Sequence, residues 1–292
     1  MHIFLIFLFL ITFASCEKNI DFKLNEVDKA LVVEAEIEND REPRVVLTRS
    51  QSFFSTLSPE LLANAFVRNA DVYISNGSLN HKLKEYSFPI FPGLNGYYYG
   101  IDTDNLSTAF KGEFNTTYKL KIISEGKEYN AITTIPKLTK VPDSLFFKKA
   151  PNNPDTLNRI LFMKFTDPKG LGNYIRYFTQ RNNEPFLPGQ NSVFSDEVID
   201  GTTYVVQVPQ GVDRNNPPEP TDGNFFRKAD VVTLKFCNID RSTYLFWNTW
   251  EFSLQSIGNP FAQPGKVLGN ISNGALGSFC GYAAWYKTVT VD

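Results

Sequence analysis

Histidine is nearly missing from this sequence: the 292 residues hold His2 and His81 and no third. A histidine-based zinc site therefore lacks partners, and a Ser/His/Asp triad would have to be built on His81 alone. His81 stands in the polar stretch from Gly77 to Lys84, beside a turn, and reads as an ordinary exposed loop residue. Cysteine is also scarce, with Cys16, Cys237 and Cys280 the complete set and no paired zinc spacing among them. No G-x-S-x-G elbow, Walker loop or dinucleotide glycine pattern occurs. Neither sign of charge is in excess, at 29 Lys and Arg against 31 Asp and Glu, and no basic block gives a nucleic-acid binder its electrostatic footprint. Carboxylate pairs such as Asp196 with Glu197, or Glu34 with Glu36, carry no chemistry alone, because the solvent face of any β domain bears acids. Asp102-Thr103-Asp104-Asn105 has the alternating oxygens of a calcium loop without its continuation, and reads as a turn. No catalytic, cofactor or metal residue is assigned, and the chain reads as a non-enzyme.

Long apolar runs are absent beyond the first residues. Ile3 to Phe13 is apolar, then come Ala14, Ser15 and Cys16. As a helix this run covers only about 16 Å, roughly half a hydrocarbon core, so it is too short for a permanent span. Its order is that of a lipoprotein signal: residues 1–15 are removed, and Cys16 is lipidated and becomes the first residue of the mature chain. Two or three acyl chains at about 0.8 kcal/mol per buried methylene hold a protein on a membrane far more firmly than one myristoyl group. An envelope protein passing through an oxidising compartment is expected to pair Cys237 with Cys280, closing a loop of about 43 residues. Two buried free thiols are the alternative, since sequence does not reveal whether the Cα atoms reach bridging distance.

What the chain has in quantity is a period of two. Residues 16–29 read as a charged tether. Leu31 to Asn39, Arg44 to Ser50, Ala70 to Ser75, Tyr97 to Ile101, Thr117 to Ser124 and Glu128 to Ile135 alternate as strands separated by turn residues. They predict a β-sandwich over residues 30–138, with one helical turn at Pro59 to Phe66 capped by Ser58. Residues 139–292 predict a second, mainly-β domain from Ser144 to Lys148, Arg159 to Asp167, Asn173 to Gln180, Thr203 to Pro209, Ala229 to Cys237 and Trp285 to Val291. One segment differs: Asp240 to Gln255 lacks Gly and Pro and spaces Tyr244, Trp247, Trp250 and Leu254 by three and four, which predicts a helix with its cap at Asp240 or Ser242 and Gly258 beyond its end. The fold class is thus all-β, with one short helix in the second domain.

In order along the chain, KALVVEAEIENDREPRVVLTRS, TTYKLKIISEGKEYNAITTIP followed by VPDSL, FTDPKGLGNYIRY and NPFAQPGKVLGNISNGALGSFCGYAA resemble the landmarks of the Bacteroidota lipoprotein family catalogued as domain of unknown function 4249. The resemblance covers most of the mature chain. It implies an outer-membrane lipoprotein with an immunoglobulin-like N-terminal part, associated with TonB-dependent outer-membrane receptors, and it supplies no catalytic residue. Glu17, Lys18 and Asp21 give part of the acidic signal that sends similar lipoproteins to the cell surface. Surface display is favoured and the periplasmic orientation stays open.

Aromatic doublets are frequent, and in a strand one member of a doublet must leave the core face. Phe53, Phe54, Phe225 and Phe226 are thereby interface candidates. The stretches Arg181 to Gln190 and Gly211 to Gly223 read as long loops, which are functional or disordered in compact domains. Their prolines, at 185, 188, 217, 218 and 220, favour a preformed edge, and Phe186, Phe225 and Phe226 are the candidate partner anchors. Two functions compete: an accessory subunit held by lipid and docked on an outer-membrane β-barrel, either a TonB-dependent transporter or a barrel assembly, and a surface lipoprotein that binds a glycan or peptide. Cys16→Ser is expected to abolish lipidation and release the chain into the soluble periplasmic fraction. An intact-mass spectrum showing a mature N-terminus elsewhere, with no acyl mass on Cys16, contradicts the anchor.

Overall fold

In the computed structural model, residues 29–52, 56, 58–151, 153–216, 225–257, 259 and 265–292 are described. The strands in chain order are β1 (Leu31–Glu38), β2 (Arg44–Arg49), β3 (Asp71–Ser75), β4 (Asn80–Lys82), β5 (Lys84–Phe91), β6 (Leu94–Gly100), β7 (Thr116–Ser124), β8 (Lys127–Ile135), β9 (Ser144–Lys149), β10 (Asn158–Thr166), β11 (Tyr174–Arg181), β12 (Leu187–Phe194), β13 (Thr203–Val208), β14 (Phe226–Arg227), β15 (Val231–Ile239) and β16 (Leu276–Thr290). Two α-helices interrupt them among the described residues, α1 (Pro59–Ala65) and α2 (Arg241–Gln255). The protein is all-β, as its alternation predicts. Both helix caps form: the Ser58 hydroxyl accepts from the Leu61 N–H at 3.1 Å, and Asp240 accepts from the Thr243 N–H at 2.7 Å. Gly258 lies outside the described residues.

One eight-stranded sheet runs through both halves of the chain in the order β12-β11-β15-β16-β1-β2-β6-β5. Two four-stranded sheets back it, one of β4-β3-β7-β8 and one of β13-β10-β14 with β9 on β10. Alternation along β16 shows that both lie on the same side. Phe279 and Ala283 enter the core shared with β1, β3, β7 and β8, while Trp285 and Val289, of the same parity, pack on the core of β10, β11 and β15. Residues of the other parity, Cys280, Tyr282 and Ala284, face the opposite side and lie under α2.

The two halves are staggered along β16. Its first part pairs in parallel with β1, from Val32↔Leu276 to Glu38↔Tyr282, and the remainder pairs antiparallel with β15, from Ile239↔Tyr282 to Val231↔Thr290. Residue 138, where the sequence predicts a change of domain, is therefore a step between the backing sheets, whereas the long sheet continues past it. The stretch crossing that step is buried. Lys140 is 2% exposed, its N–H donates to Asn238 Oδ1 at 2.9 Å, and the Asn238 amide returns a bond to the Lys140 carbonyl at 2.7 Å. The Lys140 ammonium lies 4.7 Å from the centre of the Phe165 ring and pairs with the buried Asp167 carboxylate.

Sequence periodicity missed the strands that contain breakers. β5 holds Pro89, and β12 holds Pro188 and Gly189 within the stretch read as a loop. Both are the outermost strands of the long sheet, where a missing N–H costs no ladder bond. The Arg181 to Gln190 loop is corrected accordingly: β11 ends at Arg181 and β12 begins at Leu187, leaving a short turn.

The pairing of Lys140 with Asp167 gives a test. Lys140→Met leaves a carboxylate buried without its cation and is expected to lower unfolding free energy by about 3 to 5 kcal/mol, with Asp167→Leu added in the same chain recovering much of the loss. Urea unfolding measures both; a single variant as stable as the parent contradicts the assignment.

Candidate functional site

The exposed side of the long sheet has a covered part and an open part. α2 covers the first, and polar bonds hold it there. Arg176 donates to Ser192 Oγ at 3.1 Å and to the Tyr282 hydroxyl at 2.9 Å, and its guanidinium lies 3.4 Å from the Trp247 ring centre. Trp247 Nε1 donates to the same hydroxyl at 3.0 Å. Glu251 on the helix accepts the Ser192 N–H at 2.8 Å and the Arg214 guanidinium at 2.8 Å. Buried charges with this many partners dock an element and leave little for a ligand.

The open part is formed by β1, β2, β6 and β5. Cross-strand register places Glu34 beside Val46, Glu36 beside Arg44, Val45 beside Tyr99, and Tyr98 beside Tyr86. Arg44 is exposed and spreads its guanidinium over two rings, 5.2 Å from the centre of Tyr98 and 5.6 Å from that of Phe88. Tyr86 stacks on Tyr98 at 5.5 Å, and Phe88 leans on Tyr98 at 6.1 Å. Gly96 makes this possible: a Cβ there would lie 2.5 Å from Phe88 Cζ, so the ring occupies the space that a side chain would take. Glu34 reaches solvent, but the surrounding protein strips part of its hydration and Glu36 repels it, and both raise its pKa. The result is a broad surface of half-buried aromatics crossed by one arginine and edged by two carboxylates. Aromatics and arginine are the side chains enriched in protein interfaces.

Beyond Phe178 and Tyr282, the same side of the sheet carries a second cation among rings. The Lys235 ammonium is 5.0 Å from the Phe178 ring centre, 5.6 Å from Tyr282 and 5.9 Å from Tyr286, and pairs with Glu38. Phe186 stands edge-on to Tyr286 at 5.7 Å and stays half-buried at the surface. Elsewhere, the outer face of the β4-β3-β7-β8 sheet has a shallow groove of about 370 Å³, lined by Tyr73, Asn80, Lys119, Lys121, Asn130 and Ile132 among others.

The other expected site residues fare differently. Cys16, Phe53 and Phe54 lie outside the described residues, as do Pro217, Pro218 and Pro220. Phe226 is corrected from partner anchor to core: it is 0% exposed and sits edge-on to Phe147 at 6.1 Å. Phe225 before it is half-buried. The disulfide is corrected as well, since Cys237 and Cys280 are both free and buried. Cys237 is opposite Ala284, so Cys280 lies four residues further along the neighbouring strand, roughly 13 Å away by strand rise alone and beyond bridging reach. Burial pushes the Cys237 thiol up to about 12 and raises Cys280 too, so both thiols are inert packing groups. The described part of the Gly211 to Gly223 stretch is pinned: the Gly211 N–H donates to Thr179 Oγ1 at 2.7 Å and the Val212 N–H to the Pro188 carbonyl at 2.9 Å.

Asp102 to Asn105 forms the expected turn, with the Asp104 N–H donating to Asp102 Oδ1 at 3.1 Å. A second acidic group, unnoticed in the sequence, gathers Asp167, Asp196 and Asp200 with oxygens within 4.8 Å of one another. Its carboxylates brace the preceding loop: Asp196 accepts the Gly172 and Asn173 N–H groups, Asp200 accepts that of Gly170, and Lys140 neutralises Asp167. His81 is also corrected. It is 0% exposed in β4, its Nε2 accepts the Asp102 N–H at 2.9 Å, and its Nδ1 donates to Thr108 Oγ1 at 2.9 Å. The imidazole is a neutral loop clamp with both nitrogens in use.

A family model described as domain of unknown function (DUF4249) matches residues 17–287. No curated protein matches the chain.

Burial lowers the pKa of His81 below 6.5, with Asp102 opposing that shift. A base depressed in the folded state binds its proton more readily when unfolded. Its contribution is intact above the unfolded pKa, near 6.5, and stability falls as pH drops through it. The urea midpoint is expected to decline between about pH 7 and pH 5 more steeply in the parent than in His81→Gln. Equal slopes contradict the buried neutral histidine.

Proposed function

We propose that this chain, which belongs to the DUF4249 family, is a lipid-anchored, non-catalytic accessory subunit that docks on an outer-membrane β-barrel through the open face of its long sheet. The observation that carries the reading is Arg44 laid across Phe88 and Tyr98 beside Glu34 and Glu36. Such a surface offers a partner rigid aromatic area, a fixed cation and carboxylates that set register. Anchoring by Cys16 confines the chain to the layer in which a barrel exposes its loops, and confinement raises the effective concentration enough for a modest interface to hold. His81, the histidine left after removal of residues 1–15, is committed to Asp102 and Thr108, which supports a binding role over acid–base chemistry. A second reading, a surface lipoprotein that binds a glycan or peptide, draws support from the groove beside Tyr73, where an aromatic face adjoins amides and lysines.

Tagged chain isolated in mild detergent is expected to bring down a stoichiometric barrel. Arg44→Glu combined with Phe88→Ser should cut its recovery by about tenfold or more, as loss of a central aromatic–arginine anchor does. A parent chain recovered alone with saccharide or peptide attached overturns the subunit reading in favour of the binder.

A further inference from the structure

Strand register identifies one end of the molecule as the place where the chain enters the fold. Leu31 is opposite Arg49 and Val32 is opposite Leu276, so the start of β1, the end of β2 and the start of β16 lie together. The Arg49 side chain donates to the Lys29 carbonyl at 3.3 Å and pairs with Glu125, which brings the β7–β8 turn to the same end. β6 runs antiparallel to β2, and its pair Val45↔Tyr99 directs the β5–β6 turn that way also. Past that pair Phe66 takes the place beside Thr48, and the Val67 N–H donates to the Leu47 carbonyl, so α1, just before them, sits at this end and the β5–β6 hairpin splays outward.

Apolar side chains project from this end. Ile90 is 44% exposed, Phe91 41%, Leu276 52% and Leu62 on α1 37%. The register of β5 with β6 shifts between Pro89 and Phe91, so Ile90 is left out of the ladder. Gly93, at φ +86°, closes the turn beside Pro92, while Leu94 folds inward. Two prolines and a bulge stiffen a turn whose apolar members face outward, which makes it a fixed tip rather than a fraying edge.

We propose that this tip, with Leu62 and Leu276 at the same end of the fold, rests in the headgroup layer of the membrane that holds Cys16. The inference stands on the anchor reading. From Cys16 to Ala30 the backbone spans at most about 46 to 50 Å, and it joins the fold at the end that carries the exposed apolar groups. An anchored chain thus keeps this end within reach of lipid, and a shallow apolar contact becomes effectively intramolecular. The tip fixes orientation where a tether alone leaves it free. It stands the long sheet upright, so that the face with Arg44, Phe88 and Tyr98 looks along the membrane towards a neighbouring protein.

Nitroxide labels test the contact in the acylated chain, reconstituted in vesicles of phosphatidylethanolamine and phosphatidylglycerol. The label is placed by Phe91→Cys, by Ile90→Cys, or at the opposite end by Leu106→Cys, where Leu106 is 63% exposed; Cys237 and Cys280, at 0% and 3%, are hidden from the reagent. At positions 90 and 91, collision with a water-soluble nickel complex is expected to fall roughly threefold below that at position 106, and collision with oxygen to rise, as for side chains within the interface. Equal nickel access at all three positions overturns the contact, and so does shielding that develops only when a barrel protein is added. A chain that fails to float with the vesicles refutes the anchor reading itself, and the contact with it.

Discussion

The structure depends on one pairing: among the described residues, the last strand lies in parallel beside the first. β16 contributes 15 residues, about 50 Å of strand, and its pairing with β1 is where the long sheet passes from one half of the chain to the other. Its first part satisfies the open edge of β1 and its remainder that of β15, while one set of alternate side chains serves both cores. A parallel neighbour cannot be reached by a hairpin, and here the crossover is almost the entire chain. Closing so long a loop yields nothing until the end, so the sheet becomes whole only when residues 276–290 arrive.

Secondary ties cross the same seam. Asp240, the cap of α2, also accepts from the Thr133 hydroxyl at 3.1 Å and the Thr134 N–H at 2.9 Å on β8. Asn270 donates to the carbonyls of Ile132 and Phe279, and Ser272 Oγ accepts the Asn130 N–H at 2.7 Å. A Cβ on Gly281 would meet the Thr134 carbonyl oxygen at 2.7 Å, so backbone lies against backbone where β16 passes β8. Together with the buried crossing at Lys140, these contacts tie the two sandwiches to each other. Under the proposed subunit reading, such ties would hold the docking face at a fixed height and direction relative to the anchored end.

Much of this was legible in the sequence, for definite reasons. Strands such as β1, β7 and β8 bury one face and therefore alternate, and α2 announced itself through the Asp240 cap and the spacing of Tyr244, Trp247 and Trp250. The two edges of the long sheet were hidden, because β5 and β12 carry proline that only an edge tolerates. The aromatic surface around Arg44 was invisible, since its members come from β2, β5 and β6 and meet through pairing that no local pattern encodes. Phe226 and His81 misled for a shared reason: each stands in a polar, turn-rich stretch, yet a short strand turns it inward. The thiols misled because compartment chemistry says whether cysteines pair but not whether their strands are in register.

Hydrogen exchange of the intact chain under rising urea probes the shared sheet most directly. The account predicts that amides of β1, β2, β7 and β8 lose protection at the same urea concentration as those of β11, β15 and β16, since one strand completes both halves. Persistent protection of β1, β7 and β8 at a concentration where β15 and β16 have already exchanged would show that the first sandwich stands alone, and would contradict it.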